Sequence, residues 1–413
     1  MNYVLGLLYT LSFCGLLHAQ TMSGYEMKAG KISKEALQNY LAHSITQAEF
    51  LASDGFYNDG PYPYKEDDVR MLKNVGAKFI GRAVYSWGKE EIFESSEFWN
   101  NGRELIREMH AADADMIFQA AIFEIVTKKV NRLPIPDWVF KAFNMPIENR
   151  SFNYEQMLNE DGVFVDHWGK GSSVPDISRL ETQLYFYYLA SRYMQMGIEA
   201  IHFGQAELIG MNDWKQGFRA WQSLLAKVRK AAKKYARRGT VLCDAHLPHG
   251  GIAVNGQLLF DFVSFPLRLK EIPDKPQEVK LELGYLDGIY GKTIGGITPS
   301  GWPCERSLYL VEFDNFGISK HPDMANIEDH YAWGYDEISW LAKQDSTYGK
   351  AFLNYAQQWL ADHDPIGFLE MPGSRIITGL HMNRYRANTQ SERCPVGGGL
   401  EETIKKILSS KKN

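Results

Sequence analysis

The stretch ISRLETQLYFYYLASRYMQM at residues 177–196, followed after three residues by AIHFGQAELI at 200–209, decides the fold. The first run has a long helical pattern. The second is a short apolar run of the kind that forms a buried strand, and a further helical pattern follows at Asp213–Arg238. Working outward, the same alternation recurs. Strand-like runs are expected at Ile45–Leu51, Lys78–Ser86, Met116–Val126, Ala200–Ile209, Thr240–His246, Phe260–Leu267, Leu308–Phe313 and Pro365–Met371.

Helical patterns lie between most of these runs. Lys65–Val75 carries Val69, Leu72 and Val75 at helical spacing, and Phe98–Ala112 carries Leu105, Ile106 and Met109. Ile327–Leu341 and Tyr348–Ala361 precede the eighth strand, and Leu400–Leu408 follows it. Strands that alternate with helices run parallel, joined by crossovers. Eight such units predict an α/β fold of the (β/α)₈ TIM-barrel type rather than an open doubly wound sheet. Two connections are long: Thr127–Pro175 after strand three, and Lys270–Arg306 after strand six, where Val279–Leu283 and Gly284–Gly296 look like a hairpin. Both follow strands, on the face where barrels carry their sites. No linker rich in Pro, Gly or Ser marks a second domain. The expected organisation is a signal peptide at 1–19 and one catalytic barrel at 20–413.

Composition sets outer limits. The chain has 413 residues, 45% hydrophobic and 23% charged, which is ordinary globular composition and excludes a disordered chain. With 45 Lys and Arg against 50 Asp and Glu, the net charge of −5 argues against a nucleic-acid partner. No interior apolar run approaches the ~18 residues of a spanning helix. The basic run from Lys227 to Arg238 reads as the solvated end of a helix. The glycine runs Gly250-Gly251 and Gly397-Gly398-Gly399 lack the strand-to-helix setting of a nucleotide site.

Val4–Leu17 is apolar, and Leu17-His18-Ala19 places a small residue at a cleavage point. This predicts a secretory signal, and a secreted or periplasmic protein. Phe13 is too bulky to precede a lipidated Cys14. Of the remaining thiols, Cys243 belongs to a strand, while Cys304 and Cys394 sit in Pro-flanked loops where an oxidising compartment allows pairing.

Barrel chemistry gathers where strands end. Strand one ends on Glu49, strand two on Arg82 and Tyr85, and strand three on Gln119 and Glu124. Strand four supplies His202, Gln205 and Glu207, and strand five supplies Asp244 and His246, with His249 beyond. Strand seven supplies Glu312, Asp314 and Asn315, and strand eight Glu370. Glu207 and Glu312 are both set in apolar runs. A carboxylate there costs several kcal/mol unless it is paired or protonated, so the two serve salt bridges or chemistry. Two facing carboxyl groups suit glycoside hydrolysis, where one protonates the leaving oxygen and the other attacks the anomeric carbon or activates water.

On these residues the chain resembles the (β/α)₈ glycoside hydrolases of the large retaining clan. The resemblance implies Glu207 as acid/base, Glu312 as nucleophile and Arg82 as the cation supporting it. Its departure is Ala206, where that clan has Asn before the strand-four Glu; Gln205 or His202 is the nearest substitute. Gln205, His202, Asp244, His246 and Glu49 are expected to position the sugar, and Trp87 and Trp214 to pack against it. A carbohydrate is the expected partner, with no cofactor.

Two other classes stay open. Glu207, Asp244, His246 and Glu312 are also ligand types for a divalent ion, as in barrel sugar isomerases and epimerases, although no His-x-His or His-Glu-x-x-His pattern accompanies them. A barrel that binds glycans without turnover would keep the aromatic cleft and lose one carboxylate function.

Overall fold

A computed structural model describes residues 24–52, 62–325, 330–381 and 383–410. Its centre is a ring of parallel strands. In chain order they are β1 (Ser44–Gln47), β2 (Phe79–Val84), β3 (Ile117–Ala121), β4 (Ala200–Gln205), β5 (Leu242–His246), β6 (Val263–Pro266) and β7 (Tyr309–Glu312), then β8 (Gly367–Leu369) and β9 (Met371–Ile376). Neighbours in sequence pair in parallel all the way round. β8 and β9 are two pieces of one barrel strand, separated by Glu370 alone. The first pairs with β7 and the second with β1, so the ring closes. The chain is a (β/α)₈ barrel. A short strand β10 (Arg384–Arg386) returns antiparallel along β9.

The helices follow from the sequence. α1 (Lys34–Ala42) opens on Ser33, whose side chain accepts from the Ala36 N–H. It covers the lower end of the ring, where Leu37, Tyr40 and Leu41 pack with Phe79, Ile117, Ala200, Leu242 and Leu310. α2 (Lys65–Val75) stops at Gly76, which takes the left-handed conformation that ends helices (φ +71°). α3 (Ser96–Ala112), α4 (Leu180–Met196) and α5 (Arg219–Tyr235) follow β2, β3 and β4. α6 (Glu337–Lys343) and α7 (Ser346–His363) follow β7, and α8 (Glu401–Ser410) packs between α2 and α7 to complete the outer ring. Arg70 of α2 grips Glu401 of α8 at 2.6 Å. β5 and β6 are joined without a helix of that length. Among the described residues, no helix is long and apolar enough to cross a membrane.

Several expectations change. β4 stops at Gln205, and 206–209 turn into a short helix, so Glu207 is not a strand residue. The eighth strand runs on past Met371 to Ile376, which brings Arg375 into the barrel. In the long connection after β6, Val279–Lys280 pairs with Lys270–Glu271, and Gly296–Ile297 with Pro303–Cys304. The hairpins are therefore displaced from the one expected within 279–296. Residues 219–235 alone form the helix expected over 213–238, and its basic end is only partly solvated. Arg237 and Arg238 turn inward to the buried Glu199, at 2.7 and 2.8 Å, because a buried carboxylate needs partners. Cys243, Cys304 and Cys394 are free thiols. The signal peptide at 1–19, Cys14 and the start of the helix expected from Ile327 lie outside the described residues.

Candidate active site

Strands buried on both faces read as continuous apolar runs, and those of this barrel largely do. The residues that break the rule meet at one end. Arg82 stands at φ +54°, a left-handed conformation rare for a side chain of this size, where the ladder between β2 and β3 shifts register. Its backbone N–H and Nη1 both donate to Gln119 Oε1, at 3.1 and 3.2 Å. Its Nη2 donates to Glu312 Oε1. His246 Nε2 reaches the same oxygen at 2.7 Å. Arg375 from β9 donates to Glu312 Oε2 at 2.5 Å and also binds Asp314. Glu312 is thus fully buried between two guanidiniums and an imidazole.

Burial alone would raise the Glu312 carboxyl. Arg82, Arg375 and His246 outweigh it and hold the group well below the usual carboxylate range. Glu370, at the break in the eighth strand, goes the other way. Burial, and then the charge of Glu312, push it up to about 8, so it is protonated at neutral pH. Gly81 makes room for it, since a side chain there would overlap the Glu370 carboxyl.

Beneath this cluster lies a second. Asp244 accepts from Gln119 Nε2 at 2.7 Å and from Ser264 Oγ at 2.8 Å, and His202 Nδ1 lies 2.8 Å from it. Burial pushes Asp244 up to about 7 against these donors and Arg82. Burial, then Arg82 and His246, drive His202 well below its ordinary value, so its imidazole is neutral. The His202–Asp244 contact is therefore a hydrogen bond from a neutral ring rather than an ion pair.

Above the Glu312 cluster opens a cleft of about 370 Å³. Arg82, His246 and Arg375 form its floor. Tyr85, Trp87, Phe123 and Trp168 line it on one side, and Asp314, Asn315, Phe316, Ile376 and Thr378 also contribute. Glu124 and Gln205 lie in the lining together. Glu124 accepts from the Gln205 backbone N–H at 2.9 Å and from Gln205 Nε2 at 3.1 Å. Gly204 (φ +48°) permits this, because a side chain there would overlap Glu124. A wider hollow of about 690 Å³ around Arg150 and Arg179 is open, and its arginines are paired with Glu181 and Glu160.

Of the residues singled out from sequence, Arg82, Trp87, Gln205 and His246 line the cleft, and Glu312 lies directly under its floor. His202 and Asp244 are buried and touch the site through His246 and Gln119. Glu49 is buried against Arg384 from β10 and is absent from the lining. Trp214 is 59% exposed on the turn before α5, also outside the lining. Glu207 pairs with His249 and does not line the cleft, where Glu124 does. Arg375 was missed because the eighth strand was expected to end four residues before it. Trp168 was visible only as one of several aromatics in a long loop.

The ligand types considered for a divalent ion do not converge. Glu207 faces His249, Asp244 is committed to Gln119, Ser264 and His202, and the Glu312 oxygens face arginines that repel a cation. Among the described residues no group of three or more His, Cys, Asp or Glu is arranged around a metal position.

No family model matches the chain, and no curated protein sequence does. Among solved structures it is similar to a β-mannanase of glycoside hydrolase family 113 from Alicyclobacillus acidocaldarius, at 10% identity and a TM-score of 0.42, over 94% of this chain and 99% of that one. It is also similar to a debranching enzyme from Nostoc punctiforme, at 10% identity and a TM-score of 0.32, over 58% of this chain. An α-galactosidase from Thermus thermophilus gives 13% identity and a TM-score of 0.32, over 57% of this chain and 42% of that one. The chain spans about half the length of the debranching enzyme, 53%. Identities and scores of this size assign it to no family.

Proposed function

We propose that the chain is a glycoside hydrolase acting on an uncharged glycan. One observation carries this reading: an ionised carboxylate, Glu312, lies under the floor of an aromatic-sided cleft whose lining holds a second carboxylate, Glu124. Sugars offer C–H faces to aromatic rings and hydroxyls to polar side chains, and the cleft supplies both. Its cations are already neutralised by Glu312 and Asp314, so nothing favours a phosphate or a sugar acid.

In this reading Glu312 faces the positive charge that develops at the anomeric carbon. Oε1 takes two partners and Oε2 takes one, which leaves a lone pair of Oε2 for attack. The proton donor is Glu124, because Asp314, the other carboxyl group of the lining, is bound to Arg375. The acid/base role expected of Glu207 passes to it. Gln205, His246 and Asn315 hold sugar hydroxyls. We further propose that the chain is exported with loss of residues 1–19. N-terminal sequencing of the mature protein checks this, and an intact Met1 in the exported fraction would refute it.

A second reading has its own support. Glu312 is fully buried with both oxygens engaged, as in a structural ion cluster, which suits a glycan-binding barrel without turnover. Glu124→Gln decides between the two. A hydrolase loses ~10²–10⁴ in kcat on an unactivated oligosaccharide, and loses less on an aryl glycoside whose leaving group needs no proton. Glu207→Gln stays near wild type on both. The reverse pattern would return the acid role to Glu207, and a wild-type protein that binds glycans without cleaving any would leave the binding reading.

A further inference from the structure

Trp168 belongs to the long connection after β3, and its position is fixed from three sides. Val126–Thr127 pairs with Ser172–Ser173, which ties the base of the connection to the barrel. The Trp168 backbone N–H donates to Ser172 O at 3.1 Å. Its indole Nε1 donates to the backbone carbonyl of Glu124 at 2.8 Å, and its ring meets the Trp87 ring edge-on at 5.1 Å. Trp87 meets Phe123 at 5.5 Å, and Phe123 meets Tyr85 at 5.2 Å, so the rings form one continuous wall.

Yet Trp168 keeps 36% of its surface exposed, and it lines the cleft. Trp221 and Trp340, by contrast, are completely buried. A large apolar side chain held rigid and left bare is a contact surface in waiting rather than core. Fixing it in advance removes the entropy that a mobile ring would lose on binding. Its partner is also telling: the carbonyl it binds belongs to Glu124, so the ring stands at a set distance from the proton donor.

We propose that Trp168 is the stacking platform for a sugar ring adjacent to the one whose bond is cleaved, so the substrate is a chain of at least two neutral sugars. This rests on the hydrolase reading above. Burying the bare indole face against C–H groups is worth on the order of tenfold in affinity.

The test is a titration of wild-type, Trp168→Ala and Trp168→Phe proteins with p-nitrophenyl monosaccharides and with manno-, cello- and galacto-oligosaccharides of increasing length. In the series that binds, wild type gains on the order of tenfold from the first sugar to the second, Trp168→Ala loses that gain, and Trp168→Phe keeps most of it. Unchanged circular dichroism of the Phe variant shows that the loop is intact. If Trp168→Ala keeps the chain-length gain, or wild type binds single sugars as tightly as longer ones, the platform is refuted. Turnover on the same probes separates the two claims. If wild type turns over none of these probes while the stacking pattern holds, the hydrolase reading falls and the platform stands.

Discussion

Glu312→Gln removes the carboxylate on which Arg82 and Arg375 converge, with almost no change in shape. The two guanidiniums do not suffer equally. Arg375 keeps Asp314 and donates to Asn315 Oδ1 at 3.1 Å. Arg82 keeps Gln119, a neutral acceptor, while its side chain is 2% exposed. Stranding one buried charge costs about 3–5 kcal/mol, so that loss of stability is expected at pH 7. It is read from urea unfolding of wild type, Glu312→Gln, Arg82→Met and the double variant. The double variant should be more stable than the sum of the singles predicts, by a coupling toward the upper end of about 0.5–3 kcal/mol. The pH dependence follows from linkage. Glu312 is depressed in the folded state, so its contribution is present above the ordinary carboxyl value of 4.5 and is lost as pH falls through the folded value. The gap between wild type and variant therefore narrows in acid. A Glu312→Gln protein within about 1 kcal/mol of wild type at neutral pH, with no coupling to Arg82, would refute the assignment of Glu312 as the buried anion of the site.

Other outcomes are expected. Glu370 sits near 8 in the folded protein and near 4.5 unfolded, so between these values the folded state holds the extra proton and stability falls as pH rises. Glu370→Gln should flatten that slope, as seen in unfolding midpoints from acid to mildly alkaline pH; an unchanged slope would count against the assignment. Gly81→Ala should destabilise the fold by about 1–3 kcal/mol, through overlap with Glu370. Glu370→Ala in the same chain should recover part of that loss, whereas Glu370→Gln should not, because it keeps the bulk. Arg70→Ala should loosen the hold of α2 on Glu401 at the start of α8, which hydrogen exchange would show as faster exchange in residues 401–410 than elsewhere.

Much of the barrel was legible because strand and helix periods differ. Each strand core was found, and Lys65–Val75 was found to the residue. The errors fall where backbone conformation overrides apolarity. AIHFGQAELI is apolar to its end, but Gly204 turns left-handed and Ala206 starts a helix, so Glu207 leaves the strand. Pro372 and Gly373 look like strand breakers, yet β9 carries a bulge there and continues, which hid Arg375. The Glu312–Arg82 pair was expected from the resemblance to the retaining clan, because their strands are not neighbours in the ring and no local pattern joins them. The joining of Glu124 with Gln205 was not, because it depends on how the chain turns after β3 rather than on any spacing within it. Trp168 lies still further from local pattern, in a loop whose path is set by contacts to the barrel.

The way the ring closes bears on how the protein is made. β1 must wait for β9, more than three hundred residues later in synthesis, and α8 must then settle between α2 and α7. A nascent chain can dock earlier strands side by side, but it has no closed barrel until β9 has emerged. Two floor residues, Arg82 and Arg375, come from opposite ends of that wait. The charged floor of the cleft therefore takes form only after both have been made and docked.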